Sequence, residues 1–323
     1  MSTSSTEFMS VRFVDIDAEQ AGQRVDNFLI TYLKGVPKSR IYRILRKGEV
    51  RVNKGRIKPD YKLRAGDSIR IPPIVVSMGK PSPKPGASLV RLLEQSTLYE
   101  SDALLVINKP SGLAVHGGSG ISLGLIEALR EMRPEARFLE LVHRLDRDTS
   151  GCIMIAKKRS LLRHLQAQLR EGRVSKVYNA LVAGRWLKGC TKDERTKIEA
   201  PLRKYELESG ERMVQVDPQG KPSLTWFRVL SRYEVCTLLE VKPVTGRTHQ
   251  IRVHALHAGH RLIGDEKYGD KELNKTMKKM GFNRLFLHAT QLSFYLPGED
   301  KSTVISAPLS EDLTKPLLGL TTI

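Results

Sequence analysis

A chain of 323 residues is long enough for two domains and hardly for three. With 40% hydrophobic and 28% charged residues it can bury a sizeable core, which excludes a disordered chain. Lys+Arg 54 against Asp+Glu 35 leaves a net charge of +19, which points to a polyanionic partner, nucleic acid before an anionic membrane, and no apolar run approaches the ~18 residues of a spanning helix.

The segment Met1–Ser10 lacks the basic and apolar regions of a secretory signal. Cys152, Cys190 and Cys236 are odd in number and match no metal spacing, so a reducing, cytoplasmic setting is expected. Residues 1–21 read as a tail and lead-in strand. From Gly22 to Pro73 there are 14 Lys/Arg against 4 Asp/Glu, about half the charge surplus in a sixth of the chain. Within it Val25, Phe28, Leu29, Tyr32 and Leu33 form the stripe of an amphipathic helix, which Gly35-Val36-Pro37 stops. A second helix is expected with Ser39 as N-cap and Gly48 as the glycine beyond its C-cap. Ile41, Ile44 and Leu45 face inward on it, and Arg40, Arg43, Arg46 and Lys47 face outward. Strands follow at Glu49–Val52 and Ser68–Ile71, with turns at Asn53-Lys54-Gly55 and Ala65-Gly66-Asp67. A basic helix face is usually just solvated. Here more basic strands follow with almost no acid, which favours nucleic-acid binding. This order of elements, carried by GQRVDNFL…SRIYRILRKGEVRVNKGRIKP, resembles the S4-like RNA-binding domain.

The stretch 74–88, with its Pro, Gly and Ser, reads as an extended linker, and a larger domain spans 89–323. Strands are expected at Ala103–Ile107, Cys152–Ala156, Val177–Val182, Met213–Val216, Leu224–Leu230, Cys236–Val241 and Leu292–Phe294, and helices at Ser122–Met132 and Ser160–Glu171. Short spacings favour antiparallel pairing. The expected class is α+β: a mixed, mostly antiparallel sheet flanked by helices, behind a small α/β nucleic-acid-binding domain.

The densest polar cluster, His143 to Gly151, lies between two apolar segments. Ser150-Gly151 reads as a tight turn, and the arginines around Asp146 would keep its carboxylate ionised and nucleophilic. HRLDRDTSG, NKPSG at Asn108–Gly112, Lys176-Val177-Tyr178, GRTHQIRVH at Gly246–His254 and GHRLIGDEKYG at Gly259–Gly269 occur in the order found in the RluA-type pseudouridine synthases. The chain resembles that family over about 230 residues, and within it the group acting on 23S ribosomal RNA.

The resemblance implies isomerisation of uridine to pseudouridine, with 23S ribosomal RNA or a large-subunit precursor as partner and the enzyme acting as a monomer. The C1′–N1 bond breaks, the base turns, and C1′ joins C5. Nothing is added or lost, so neither cofactor nor metal is called for. It implies Asp146 as the catalytic carboxylate, attacking C1′ or removing a ribose proton. Tyr178 would stack on the base and serve in the final deprotonation at C5. Arg252 would pair with the Asp146 carboxylate, and Arg144 would fill the place of the flipped nucleotide.

Asp148 is expected to stand outside the chemistry, and Leu145 and Ile251 to line the pocket. Lys109 would support the active-site loop or a phosphate, and His249 would hydrogen-bond the active-site backbone. His254 and His257 read as polar core or RNA-facing groups, not metal ligands. Gly117–Gly120 lacks the Gly-Lys-Ser/Thr of a P-loop. Asp270–Gly281, with Lys271, Lys275, Lys278 and Lys279, reads as an exposed excursion. A non-catalytic RNA-binding assembly factor is the alternative from composition alone, and a hydrolase using Asp146 and Asp148 is a third reading.

Overall fold

The computed structural model describes residues 6–33, 35–77, 83–118, 123–186, 194–208 and 210–323. Cys190, Ser119, Gly120 and the expected helix start at Ser122 lie outside them. The chain divides into two compact units, 1–83 and 84–323.

The first unit comprises β1 (Thr6–Met9), β2 (Arg12–Asp15), α1 (Val25–Tyr32), α2 (Lys38–Arg46), β3 (Arg51–Val52), β4 (Gly55–Arg56), β5 (Ser68–Ile71) and β6 (Ile74–Ser77). β2, β5, β3 and β4 form one antiparallel sheet in that order, and β1 pairs with β6. Four of the five expected stripe residues are core, Val25, Phe28, Leu29 and Leu33, packed with Ile41, Ile44, Leu45, Val52, Ile69 and Ile71, while Tyr32 is exposed. α2 begins one residue before Ser39, behind Pro37, so Ser39 is helical and caps nothing. Its other end is as expected: Gly48 sits at φ +68, its N–H donates to Leu45 O, and the Glu49 N–H donates to Ile44 O. The stretch from Ile74 is not a linker at its start. Ile74 is buried in this core, and Ile74–Ser77 pairs residue by residue with Met9–Thr6.

The second unit runs α3 (Ala87–Gln95), β7 (Thr97–Glu100), β8 (Leu104–Lys109), α4 (Leu125–Met132), β9 (Glu140–Leu141), β10 (Ser150–Ala156), α5 (Arg159–Arg170), β11 (Ser175–Ala183) and β12 (Arg195–Glu199). It continues with β13 (Leu202–Glu206), β14 (Arg212–Val216), β15 (Leu224–Arg232), β16 (Cys236–Pro243), α6 (Gln250–His257), α7 (Lys271–Lys279), β17 (Leu287–Phe294), β18 (Thr303–Ser306) and α8 (Glu311–Leu318). A ten-stranded sheet has the order β12-β15-β16-β11-β17-β10-β8-β7, with β18 on β17 and β9 on β10. Its pairs are antiparallel except β10 with β17.

All seven residues of β10 are buried, because both faces of the sheet are covered. Ile153 and Ile155 pack with Leu125 and Leu129 of α4, while Cys152 and Met154 pack with Leu161 and Leu165 of α5. Ser150-Gly151 is the start of this strand and not a tight turn. Gly151 holds φ +111, and a Cβ there would meet Ala289 O at 2.3 Å, so glycine is what lets β17 lie alongside. α7 is exposed along its lysines but anchored by buried Met277, and Asp270 caps it by accepting from the Leu273 N–H. Among the described residues no helix is long and apolar enough to cross a membrane.

Candidate active site

Asp146 lies on the loop between β9 and β10. Buried Leu145 anchors that loop, and the Thr149 N–H closes it by donating to Asp146 O at 3.2 Å. The loop after β8 clamps it from the side. Lys109 is fully buried, and its ammonium donates to the carbonyls of Pro110, Leu113 and Arg147 at 2.8, 2.8 and 2.9 Å. The Gly112 N–H also donates to Arg147 O, and the Ser111 hydroxyl to Asp148 O at 2.7 Å. Three carbonyls around three N–H donors match the full donor set of the ammonium, the geometry of the loop-supporting task. Burial lowers its pKa to about 7, with Asp148 and Asp146 opposing the shift.

The Asp146 carboxylate marks the seam of a two-lobed cleft. One lobe, of about 1090 Å³, is lined by Tyr178, Lys176 and Ile251, among others. The second, of about 920 Å³, lies toward Gly112, Arg147 and Arg284. Asp146, Arg144, His249 and Arg252 line both. Each lobe reaches the upper end of the ~300–1,000 Å³ usual for small-ligand sites. A cleft entered from two sides at one carboxylate suits a polymer threaded past a reacting residue.

Tyr178 is aimed into the first lobe by a β-bulge in β11 between Val177 and Tyr178. Burial, and then the negative Asp146, push its pKa well above that of an ordinary tyrosine, so it is a neutral phenol at pH 7. Arg144 stands exposed at the mouth of both lobes. Asp148 pairs with its neighbour Arg147 at 3.1 Å. Ile251 and Leu145 are buried pocket lining, as expected.

Arg252 meets the expected Asp146 and has a second, tighter partner. Its Nε and Nη2 grip Asp265 bidentately at 2.7 Å each, while its Nη1 lies 3.8 Å from Asp146 Oδ2. Asp265 is the primary partner, and it also accepts from the N–H groups of Lys267 and Tyr268 at 2.9 Å. Burial works against both charges, yet the pairing wins. The Arg252 pKa is raised and that of Asp265 lowered. The Tyr268 ring lies under the guanidinium at 5.0 Å. Arg252 is therefore locked before it meets Asp146.

His249 departs from expectation: its Nδ1 meets the Tyr268 hydroxyl at 2.7 Å, not the backbone. That hydroxyl also accepts from the Val214 N–H at 2.9 Å. Burial lowers the His249 pKa to about 4, which leaves a neutral ring. Its Nε2 faces Asp146 Oδ2 at 4.0 Å.

Asp265 and Tyr268 are the site residues that sequence reasoning missed. Both stand in GHRLIGDEKYG, and an aspartate just after the apolar pair Leu262-Ile263 and its glycine was the available signal. His254 is polar core: it is fully buried and bonded to Ser223, Thr225 and Ala200 O. In the first unit Arg43, Arg46 and Lys47 are exposed and Arg40 half-buried on α2.

This fold and cleft define an RNA-modifying enzyme of the pseudouridine synthase type. The RNA pseudouridylate synthase family matches residues 103–257, and the S4 domain matches residues 23–69. The chain is 56% identical to "Ribosomal large subunit pseudouridine synthase C" of Pasteurella multocida (strain Pm70), over 96% of this chain and 94% of that one. It is also 56% identical to the protein of the same name from Escherichia coli (strain K12), over 98% of each. Among solved structures, human RNA pseudouridylate synthase domain containing 4 superposes with TM-score 0.57 at 27% identity, covering 72% of this chain and 96% of that one. The chain belongs to the RNA pseudouridylate synthase family and carries an S4 domain ahead of the synthase unit.

Proposed function

We propose that this enzyme isomerises specific uridines of 23S ribosomal RNA, free or in a large-subunit precursor, with Asp146 as the catalytic carboxylate. The substrate class follows the names of its relatives. The observation that carries the role of Asp146 is its place at the seam of both lobes, half-buried, with locked Arg252 beside it. Arg144 at the mouth enters the RNA as the target base leaves its stack. Tyr178 receives the base as a stacking face. A phenol held protonated is a poor acceptor for the C5 proton, so that step falls to the Asp146 carboxylate in the same cleft. Work in the cytoplasm fits two buried free thiols, Cys152 and Cys236.

Asp146→Asn keeps the size of the side chain but is neither nucleophile nor base. Tritium release from 5-tritiated uridine in ribosomal RNA should fall to the detection limit, with RNA affinity changed no more than a few-fold. Asp148→Asn should stay active. Normal release by Asp146→Asn would overturn the assignment.

A further inference from the structure

The sheet of the S4 domain has two faces of opposite character. Along its order β2-β5-β3-β4, Phe13 stands opposite Arg70, Arg70 opposite Arg51, and Arg51 opposite Arg56. Directly opposed residues of an antiparallel pair share a face. One row of side chains, an aromatic followed by three arginines, therefore crosses all four strands at the ~4.8 Å strand spacing. The neighbouring row, Val14, Ile69, Val52 and Gly55, turns the other way, and Ile69 and Val52 are buried in the core.

The outward row is open. Phe13 is 70% exposed, Arg51 and Arg56 are exposed, and Arg70 is half-buried. Among the described residues none of the three arginines pairs with a carboxylate. Asp15, on the same face of β2, stands opposite Ser68 and not opposite an arginine. Arg70 donates to Glu49 O at 3.0 Å and Arg51 Nε to Gly48 O at 3.4 Å, and the Arg56 side chain lies where a Cβ on Gly48 would be. Arg70 and Arg51 are thus tethered just beyond the C-terminal end of α2, Arg56 packs over Gly48, and most of their donors are free. Like charges set directly opposite one another destabilise a sheet. A bare phenylalanine beside them on an edge strand buries nothing. The fold gains from neither, whereas an anionic strand with unpaired bases satisfies both.

We propose that this row is an RNA-binding surface separate from the α2 face: a single-stranded segment lays phosphates on Arg70, Arg51 and Arg56 and stacks a base on Phe13. The inference rests on the RNA-substrate reading above and adds where flanking RNA is held. Duplex RNA would leave Phe13 idle, because stacking needs an unpaired base.

The test uses the full chain with a single-stranded oligouridylate and, in parallel, an RNA duplex, each of ~20 nucleotides per strand, across a salt series. Arg51→Gln, Arg56→Gln and Arg70→Gln together should reduce the slope of log K against log[salt] for the single strand by about 2. The three Lys replacements should restore it. Phe13→Ala should weaken the single strand roughly 5- to 100-fold, leave the slope intact and spare the duplex. Arg12→Gln, whose cross-strand partner Ile71 is buried, is the charge control and should barely move the slope. An unchanged slope in the triple variant would overturn the proposal. So would an Arg12 effect equal to the others per charge, or a silent Phe13→Ala with equal losses on both RNAs. Asp146→Asn should keep full slope and affinity on the same probes. The salt slope reads the row and tritium release reads the chemistry, so either can fail without the other.

Discussion

On α2 of the S4 domain, Arg40, Arg43, Arg46 and Lys47 have no carboxylate partner among the described residues, and three of the four are exposed. In the synthase unit Arg252 is 5% exposed, forked onto Asp265 at 2.7 Å, and underlain by Tyr268. The first set keeps its donors open to an anionic partner, and a phosphate backbone, which offers charge at every step, would be met in many geometries. The second has its geometry fixed before the substrate arrives, because a reacting centre penalises misplacement far more than weak binding does. The same residue type thus stands with its donors open on one unit and with its geometry already fixed on the other.

The sharpest way to break this contrast is to free Arg252. Asp265→Asn keeps the shape of the partner but leaves a buried guanidinium without its counter-charge. Removing one member of a buried pair costs about 3–5 kcal/mol, so the urea midpoint of the synthase unit should fall clearly. In the surviving folded protein kcat should drop on the order of 10²-fold, the scale of an ångström of misplacement. KM should move little, since Asp265 reaches the substrate only through Arg252. A variant with unchanged stability and kcat would show that Asp265 positions nothing.

The reverse manipulation neutralises the unpaired set. Arg40→Gln, Arg43→Gln, Arg46→Gln and Lys47→Gln together should raise KM for ribosomal RNA far more than they lower kcat. They should also flatten the salt dependence by up to about 3 in slope, at roughly 0.7–0.9 for each phosphate no longer neutralised. Comparable losses in kcat and kcat/KM would place these side chains in the transition state and erase the division between the units.

The legible parts of the molecule were those whose signal is local. The stripe of α1, the apolar runs of β10 and β11, and Gly48 all announce themselves within a few residues. What escaped depends on partners distant in sequence. Ile74-Val75-Val76 follows two prolines and looks like linker until β1, some 65 residues earlier, pairs with it. In α6 all six residues from Gln250 to Ala255 are buried, so no polar face marks it as an amphipathic helix. Asp146, Tyr178 and Arg252 sit in dense motifs, and the fold brings all three to one cleft. Asp265 was not legible, because an aspartate before Glu266 and Lys267 reads as a surface turn. Only the fold brings Arg252 onto it.

Asp26 gives the smallest effect and sharpens the comparison from the S4 side, where one acid is paired after all. Its side chain is 2% exposed and accepts from Arg24 at 2.6 Å, from the Asn27 N–H at 2.8 Å and from the Tyr42 hydroxyl at 3.2 Å. The bond from Arg24 is the main cause that holds its pKa below the ordinary aspartate value, against the opposing effect of burial. A depressed folded-state pKa means that the stabilisation is complete above the unfolded carboxylate value, about 3.9, and is lost as pH falls through the lower folded value. Asp26→Asn should therefore lower the urea midpoint at pH 7 by less than Asp265→Asn does, because Arg24 is half exposed and screened by solvent. The gap between variant and parent should narrow as the pH drops below about 4. RNA affinity should not fall, since the lost charge is negative and turned inward. A gap that stays constant down to pH 2 would mean that Asp26 stabilises α1 by shape and hydrogen bonding alone, and that charge pairing in this molecule belongs to the synthase unit.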